Sequence, residues 1–319
     1  MRTVLTIVVA ALVMALSPTA RAAGYPEKNP RLIVPYAAGG GTDVMARAVA
    51  QFLETPLKRK VVVVNKPGAG GQIGTTEVAE ARPDGYTLLI TSSSDFLLVP
   101  LFNKDPGFAY GDFTPVACFN DTATSIIAKP DSPFKTFADL VAYAKDNPGK
   151  VTFSTSGDAH ILLAAIIEQV CGITVNTISY SGGGESMNAV MGGHVEAALI
   201  DKRFIRQAEQ AGCTALGVAS GERFAILPDV PTLKEQGFDI TDNQRRVLLL
   251  PKKTPANVIA VLTAAIESFG QTDEFEEKLV ALGEVRRVET GAAIVDFMNA
   301  QKEIFAAVVN ANRDKFPLK

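Results

Sequence analysis

Four short segments rich in glycine, serine and threonine are the parts of this sequence best suited to binding a ligand. They are residues 36–43, 68–71, 91–94 and 154–158, and each lies shortly after an apolar run typical of a buried strand. Glycine lets the backbone approach a ligand closely, and a helix that begins after such a loop offers unpaired N–H groups and partial positive charge. The segments therefore favour a small anion, whose oxygen atoms could be held by the hydroxyl groups of Thr42, Ser92, Ser93, Ser154, Thr155 and Ser156.

Covalent, nucleotide and metal chemistry have less support in the sequence. Gly39-Gly40-Gly41 is not followed by the Gly-Lys-Ser/Thr of a P-loop, and it does not fit the G-x-G-x-x-G dinucleotide fingerprint. No G-x-S-x-G motif is present, although Ser154 or Ser156 with His160 leaves a serine hydrolase open as an alternative. No metal or cofactor is predicted. The chain has three cysteines, Cys118, Cys171 and Cys213, and their spacing fits no metal-site pattern. We expect three separate buried side chains rather than one disulfide and one free thiol.

Strand and helix patterns alternate along most of the chain, which is typical of an α/β fold whose sheets are covered by helices on both faces. Val61–Val64 is entirely β-branched and is predicted to be a central strand. Thr42 is the expected N-cap of the helix after the first glycine-rich loop, and residues 91–94 are expected to form a loop. Ligands in such folds bind where strands end, which agrees with the position of the four segments.

Two domains are expected, because a chain of 319 residues exceeds the usual size of one hydrophobic core. Residues 23–120 and 222–319 are predicted to form domain I, with domain II, residues 121–221, inserted between them. The chain would then cross between the domains near 120 and near 222. Two crossings make a hinge, and a hinge places the ligand between the lobes.

The N-terminus has the layout of a secretory signal peptide, predicted over residues 1–22. Arg2 precedes an apolar run over residues 4–16, and Ala20-Arg21-Ala22 fits a cleavage site before Ala23. We therefore expect the protein in the periplasm. The formal net charge is −3, and the composition gives no sign of the basic surface that nucleic acid binding requires.

A set of motifs in a fixed order carries a resemblance to a known family. The motifs are Tyr25-Pro26 and residues 31–36 (RLIVPY), 39–43 (GGGTD), 65–71 (NKPGAGG), 83–89 (PDGYTLL), 147–150 (NPGK) and 227–232 (LPDVPT). Together they resemble the substrate-binding receptors of tripartite tricarboxylate transporters, the Bug-type extracytoplasmic receptors. The resemblance extends over almost the whole chain after the predicted signal peptide.

The resemblance implies a type II periplasmic binding protein, a Venus flytrap of two domains that are each a sheet flanked by helices. It implies a receptor without catalytic activity, a small mono-, di- or tricarboxylate as ligand and a membrane permease of two unlike subunits as partner. We also expect a monomer. A periplasmic sensor that feeds a signalling partner is an alternative.

In that family two loops hold one carboxylate, and they correspond here to residues 36–43 and 154–158. Residues 180–184 and Asp201 also match pocket positions, although Asp201 could instead cap the helix before Arg203. Residue types and resemblance together predict one set of ligand contacts: Tyr36, Ala37, Gly40, Gly41, Thr42, Asp43, Gly70, Ser92, Ser93, Ser154, Thr155, Ser156, Gly157, Asp158, His160, Tyr180, Gly182 and Asp201.

Three departures from the family pattern concern the cleft. Ala37-Ala38 replaces the usual proline pair, and the loop that starts at Ser154 is shorter than usual. Residues 243–246 (NQRR) stand where aromatic residues are usual. Arg245 or Arg246 could therefore face the cleft and bind a second carboxylate bidentately, but solvated surface charges are the preferred interpretation.

Overall fold

Two β-sheets, each covered by helices, organise the chain in the computed structural model. The structure describes residues 24–180, 182–224, 226–313, 316 and 318. The predicted signal peptide lies outside the described residues. Among those that are described, no helix is long and apolar enough to cross a membrane.

The first sheet forms lobe I and mixes parallel with antiparallel strands. Its strands are β1 (Arg31–Val34), β2 (Val62–Asn65), β3 (Thr87–Ser92), β4 (Phe113–Asp121), β10 (Arg246–Pro251) and β11 (Val285–Thr290). The order across the sheet is β11-β4-β10-β3-β1-β2. β1 is parallel to both β2 and β3, whereas β10 is antiparallel to β3 and β4, and β11 is antiparallel to β4.

The second sheet forms lobe II. Its strands are β5 (Thr124–Ala128), β6 (Thr152–Thr155), β7 (Asn176–Ser179), β8 (Ala197–Asp201) and β9 (Thr214–Val218). The order is β7-β6-β8-β5-β9, with β6 parallel to β7 and β8, and β5 antiparallel to β8 and β9. In both sheets the parallel strands lead through loops into helices. Ligands bind at such loops in α/β folds.

Helices cover the faces of both sheets. In α1, Met45, Val49 and Leu53 recur at four-residue spacing and are buried against lobe I together with residues of β1 and β10. The helices are α1 (Gly41–Leu57), α2 (Gln72–Ala79), α3 (Ser93–Phe102), α4 (Phe137–Asp146), α5 (Asp158–Cys171), α6 (Gly183–Met191), α7 (Ile205–Gln210), α8 (Ala256–Gly270), α9 (Asp273–Ala281) and α10 (Ala292–Ala311).

The lobes are joined by two chain crossings that pair with each other. The first lies at Thr122, between β4 and β5, and the second at Gln244, before β10. The N–H of Thr122 donates to the carbonyl oxygen of Gln244 (2.9 Å), and the N–H of Gln244 donates to that of Thr122 (3.1 Å). A short paired connection concentrates any rotation between the lobes at a few residues, as a hinge requires.

The return crossing at Gln244 lies later in the chain than the predicted position near 222. The segment after β9 belongs to lobe II, because Phe224, Leu227, Leu233 and Ile240 are buried in the two cores of that lobe. This segment also hydrogen-bonds to the edge strand β9, since the N–H of Leu233 donates to the carbonyl oxygen of Val218 (3.0 Å). Its proline-rich sequence resembles a linker, but it satisfies backbone groups that the edge of the sheet would otherwise leave open.

Three local predictions were wrong. β2 is an edge strand with Val62 38% exposed, so its β-branched residues do not mark the centre of the sheet. The segment 91–94 is divided between β3 and α3, whose N-cap is Ser92. The apolar run in α3 has no amphipathic period, which hid this helix. In α1 the N-cap is Gly40, not Thr42, which lies inside the first turn.

The predictions for the last helix and for the cysteines agree with the structure. The sequence predicts a final helix over Ala292–Ala311, and α10 has these bounds. Cys118, Cys171 and Cys213 are buried and unpaired, which confirms the preferred interpretation.

Candidate functional site

A cavity of about 600 Å³ lies between the two lobes. The predicted contacts that line it are Tyr36, Gly70, Ser156, Gly157, Asp158 and Gly182. The other lining residues were not in the predicted contact set, although Ala69 and Gly183 lie within the predicted segments 68–71 and 180–184: Ala69, Asp95, Leu98, Val99, Asn103 and Gly183. Three of these six residues, Asp95, Leu98 and Val99, lie on α3, and Asn103 is its C-cap, so the failure to predict this helix accounts for four of them.

Two helices of lobe II begin at the wall of this cavity. Gly157 is the N-cap of α5, with φ 95° and ψ 168°, a conformation that is essentially restricted to glycine. Gly182 is the N-cap of α6. The first backbone N–H groups of a helix have no acceptor within the helix, and the helix dipole adds partial positive charge. Both helix starts therefore favour an anionic group in the cavity.

Ser156 and His160 form the polar contact at the start of α5. The backbone N–H of Ser156 donates to Nδ1 of His160 (3.2 Å), and the Oγ of Ser156 lies 3.3 Å from the same atom. Burial lowers the pKa of His160 to about 4, although the charge of Asp201 acts in the opposite direction. His160 is therefore neutral near pH 7, with its proton on Nε2 because Nδ1 accepts the backbone hydrogen bond.

Lobe I contributes to the cavity wall a tyrosine and an aspartate that are hydrogen-bonded to each other. The hydroxyl of Tyr36 donates to Oδ2 of Asp95 (3.0 Å) and lies 2.9 Å from Oγ1 of Thr91. Burial, and next the negative charge of Asp95, raise the pKa of Tyr36 well above its ordinary value. The hydroxyl thus keeps its proton and fixes the carboxyl group of Asp95 at the cavity wall.

Asp43 braces the first glycine-rich loop. Its side chain accepts hydrogen bonds from the N–H of Gly39 (2.9 Å), Nε of Arg47 (3.0 Å) and Nδ2 of Asn65 (3.0 Å). Burial opposes ionisation of Asp43, but these hydrogen bonds outweigh it and lower the pKa. The carboxylate holds the loop that precedes α1, and it does not line the cavity described above.

Two adjacent residues of lobe II reach across to lobe I. Nζ of Lys202 lies 2.9 Å from Oε2 of Glu284, and both side chains are almost completely buried (0% and 3% exposed). The guanidinium of Arg203 lies against Gly41, where a Cβ atom would be only 2.9 Å from Nη2. These contacts hold the lobes together beside the cavity.

Four predicted contacts lie behind the cavity surface. Ser154 is fully buried, donates to the carbonyl oxygen of Ser186 (2.9 Å) and accepts from the Oγ of the same residue (2.9 Å). Thr155 lies 3.2 Å from Oγ of Ser179. Ser92 caps α3, and Ser93 accepts from the N–H of Arg245 (3.1 Å). These hydroxyl groups stabilise loops and helix starts.

The remaining predicted contacts surround the cleft without lining this cavity. Asp201 accepts from the N–H and Nε of Arg203 (3.0 and 3.1 Å), so it caps the 3₁₀ turn Lys202–Phe204. Burial opposes its ionisation, but the charges of Arg203 and Lys202 lower its pKa overall. The others are Ala37, Gly40, Gly41, Thr42, His160 and Tyr180.

The interpretation of Arg245 and Arg246 as solvated surface charges is wrong, since they are only 9% and 6% exposed. Arg245 lies 2.9 Å from Oδ1 of Asp121 and 2.6 Å from Oε2 of Glu289. In Arg246, by contrast, Nε and Nη1 are buried without a hydrogen-bond partner in the described part of the chain. The sequence signal for burial was their position next to an apolar run, because Arg245 immediately precedes β10 and Arg246 is the first residue of this otherwise apolar strand.

Residues 45–303 match the family model described as "Tripartite tricarboxylate transporter family receptor". The chain belongs to this receptor family. Protein BugT of Bordetella pertussis is 32% identical over 292 residues, which cover 89% of this chain and 89% of BugT. A solved TctC solute-binding protein from Polaromonas is 30% identical, with a TM-score of 0.76, and the match covers 90% of this chain and 99% of that one.

A further solved structure, described as a periplasmic transporter, is 32% identical with a TM-score of 0.79, covering 90% of this chain and 97% of that one. These neighbours confirm the predicted two-lobed periplasmic binding protein fold. Because the tripartite tricarboxylate transporter receptors bind solutes rather than convert them, this receptor is not an enzyme, and a serine hydrolase is not supported.

Proposed function

We propose that this receptor is exported to the periplasm, binds a small mono-, di- or tricarboxylate between its lobes and delivers it to a membrane permease of two unlike subunits. One observation carries the proposal. Helix starts from both lobes meet at one cavity: α5 and α6 of lobe II, and the Ala69–Gly71 turn that leads into α2 of lobe I. Their N–H groups supply positive potential without a charged side chain, which suits a small carboxylate.

Structures of more distant relatives support a carboxylate ligand. MatC from Rhodopseudomonas palustris, solved with bound malate, is 24% identical to this chain with a TM-score of 0.74. Another protein of R. palustris, solved with adipate, is 22% identical with a TM-score of 0.79. Both have the fold of this receptor, and both were solved with a small carboxylate.

The position of the cavity suggests how binding is coupled to delivery. A ligand that contacts Ser156 on lobe II and the Ala69–Gly70 turn on lobe I binds the closed form better than the open form. It shifts the equilibrium by that difference in affinity. We propose that the permease recognises the closed form of a monomeric receptor, after cleavage of the signal peptide before Ala23.

Calorimetry and thermal denaturation test the proposal with a panel of carboxylates that includes succinate, malate and adipate. At a ligand concentration a hundredfold above the dissociation constant, the free energy of unfolding should rise by about 2.7 kcal/mol. Ser156→Ala should weaken binding by about 1 kcal/mol through the loss of one hydrogen bond. Ser268→Ala, on α8 and outside the cavity wall, is the matched control. If no carboxylate binds the wild-type protein, the proposed function is wrong.

A further inference from the structure

The charges on the cavity wall do not match an unsubstituted carboxylate. Asp95 of lobe I and Asp158 of lobe II both line the cavity, and no lysine or arginine stands among the described residues that line it. The helix starts of lobe II can hold one carboxylate of the ligand. An acidic group placed near Asp95 would be repelled, so this end of the cavity favours a hydrogen-bond donor.

Asp95 is built as a fixed acceptor. It lies in the first turn of α3, and its Oδ2 is held by the hydroxyl of Tyr36 (3.0 Å), which in turn contacts Thr91. Its Oδ1 makes no hydrogen bond to any residue that the structure describes. A carboxyl group fixed through one oxygen and open at the other needs little reorganisation to bind a donor.

The groups around Asp95 shift its pKa in opposite directions. Burial raises the pKa of Asp95, and Asp158 and Asp242 act in the same direction, whereas the hydrogen bond from Tyr36 and the charge of Arg246 lower it. Because Nε and Nη1 of Arg246 have no hydrogen-bond partner among the described residues, the guanidinium is free to stabilise an ionised carboxylate at Asp95. The charge of Arg246 also lowers the pKa of Asp201 and Asp242, so this buried guanidinium serves a group of carboxylates that includes Asp95.

We propose that Asp95 makes this receptor selective for carboxylates that carry a hydroxyl or ammonium group next to the acid group, by accepting a hydrogen bond through Oδ1. The inference rests on the proposed function: the starts of α5 and α6 hold the carboxylate, and Asp95 binds the neighbouring donor from the opposite lobe. The ligand class is thus 2-hydroxy or 2-amino acids.

Two matched ligand series test the inference by calorimetry: succinate, malate and aspartate, and glutarate, 2-hydroxyglutarate and glutamate. In at least one series, a substituted acid should bind at least about tenfold tighter than the unsubstituted one, as expected for one hydrogen bond to a charged group. The hydroxyl and amino members decide which donor is used. Asp95→Asn should remove that preference, while Asp105→Asn, which changes an exposed aspartate of the same lobe, should retain it.

The outcomes separate this inference from the proposed function. If unsubstituted and substituted acids bind equally, or if Asp95→Asn weakens all of them alike, Asp95 does not select the ligand, although the receptor still binds carboxylates. If succinate or glutarate binds best and more tightly at lower pH, a protonated Asp95 donates to the ligand and the inference is overturned. If no acid of either series and no other carboxylate binds, the proposed function itself is wrong.

Discussion

At the scale of single residues, the same hydroxyl and carboxyl groups serve either the ligand or the fold. Ser154 and Ser156 lie two positions apart, yet Ser154 bonds to Ser186 behind the surface, and Ser156 lines the cavity. Both carboxylate oxygens of Asp43 accept hydrogen bonds, three in all. In Asp95, by contrast, Oδ1 accepts none from the described residues. What a polar side chain does here depends on how many partners its neighbours already offer.

His160 gives a prediction at this scale. Its pKa is about 4 in the folded protein, lowered by burial, against about 6.5 in an unfolded chain. Between these values the unfolded state binds a proton that the folded state does not, so the free energy of unfolding falls as pH drops from about 6.5 to 4. The loss should reach about 3 kcal/mol at the lower limit.

Urea denaturation at a series of pH values measures this effect. His160→Gln should flatten the pH dependence over this range, because no proton is then taken up on unfolding at that position. His194→Gln is the matched control, since His194 is the other histidine of the chain and is exposed. A wild-type stability that stays constant between pH 6.5 and 4 would contradict the buried neutral state of His160.

At the scale of elements, helix starts determine where the cavity can hold an anion. α5 and α6 both begin at glycines, and neither has a side-chain cap hydrogen bond. A serine or aspartate cap would occupy the N–H groups that a ligand could use. The absence of capping side chains at these two helices thus agrees with a ligand that takes their place.

Gly157→Ala is a prediction at this scale. A residue with a Cβ atom is strained at φ 95° and ψ 168°. The free energy of unfolding should therefore fall by about 1–3 kcal/mol. If the start of α5 instead relaxes, its N–H groups move and carboxylate binding weakens. Chemical denaturation and calorimetry measure the two effects. Gly221→Ala is the control, because Gly221 has no positive φ and its Cβ would meet nothing within 4 Å; equal behaviour of the two variants would contradict the assignment.

At the scale of the whole molecule, the two lobes meet through apolar residues of α5 that pack against lobe I, and through polar contacts beside the hinge. Lys202 of lobe II donates to Thr122 at the first crossing (2.9 Å) and to Glu284 of lobe I (2.9 Å). Asn120 of β4 also donates to Glu284 (2.9 Å). We expect opening of the cleft to separate Lys202 from Glu284 and to expose both to water, so that this pair favours the closed form.

Glu284→Gln should therefore shift the receptor towards an open form. Loss of one partner from a buried ion pair costs about 3–5 kcal/mol, and rotation of the lobes relieves this by hydrating Lys202. Small-angle scattering of the ligand-free protein should show a larger radius of gyration. Glu196→Gln is the matched control, because Glu196 pairs with Lys129 (2.6 Å) within lobe II. An unchanged radius in Glu284→Gln, with the fold intact, would contradict the role of this pair.

The sequence by itself determined the α/β class, most strands and helices, and the family. Residues 292–311 show why: their apolar spacing follows the period of one helix face, so local sequence specifies both bounds of α10. The glycines at 157 and 182 also follow a strand and precede a helix in the sequence, and both line the cavity. Such features depend on residues that are neighbours in the chain.

The tertiary structure alone decided which of these residues meet in the cleft. Asp95 is fixed by Tyr36 and lies within the field of Arg246, and no local pattern connects these three positions. The return crossing at Gln244 was likewise set by the packing of the preceding segment on lobe II, not by its linker-like composition. Periodicity reports whether a side chain faces a core, but hydrogen bonds and charge pairs between distant elements arise only when both lobes have folded and closed.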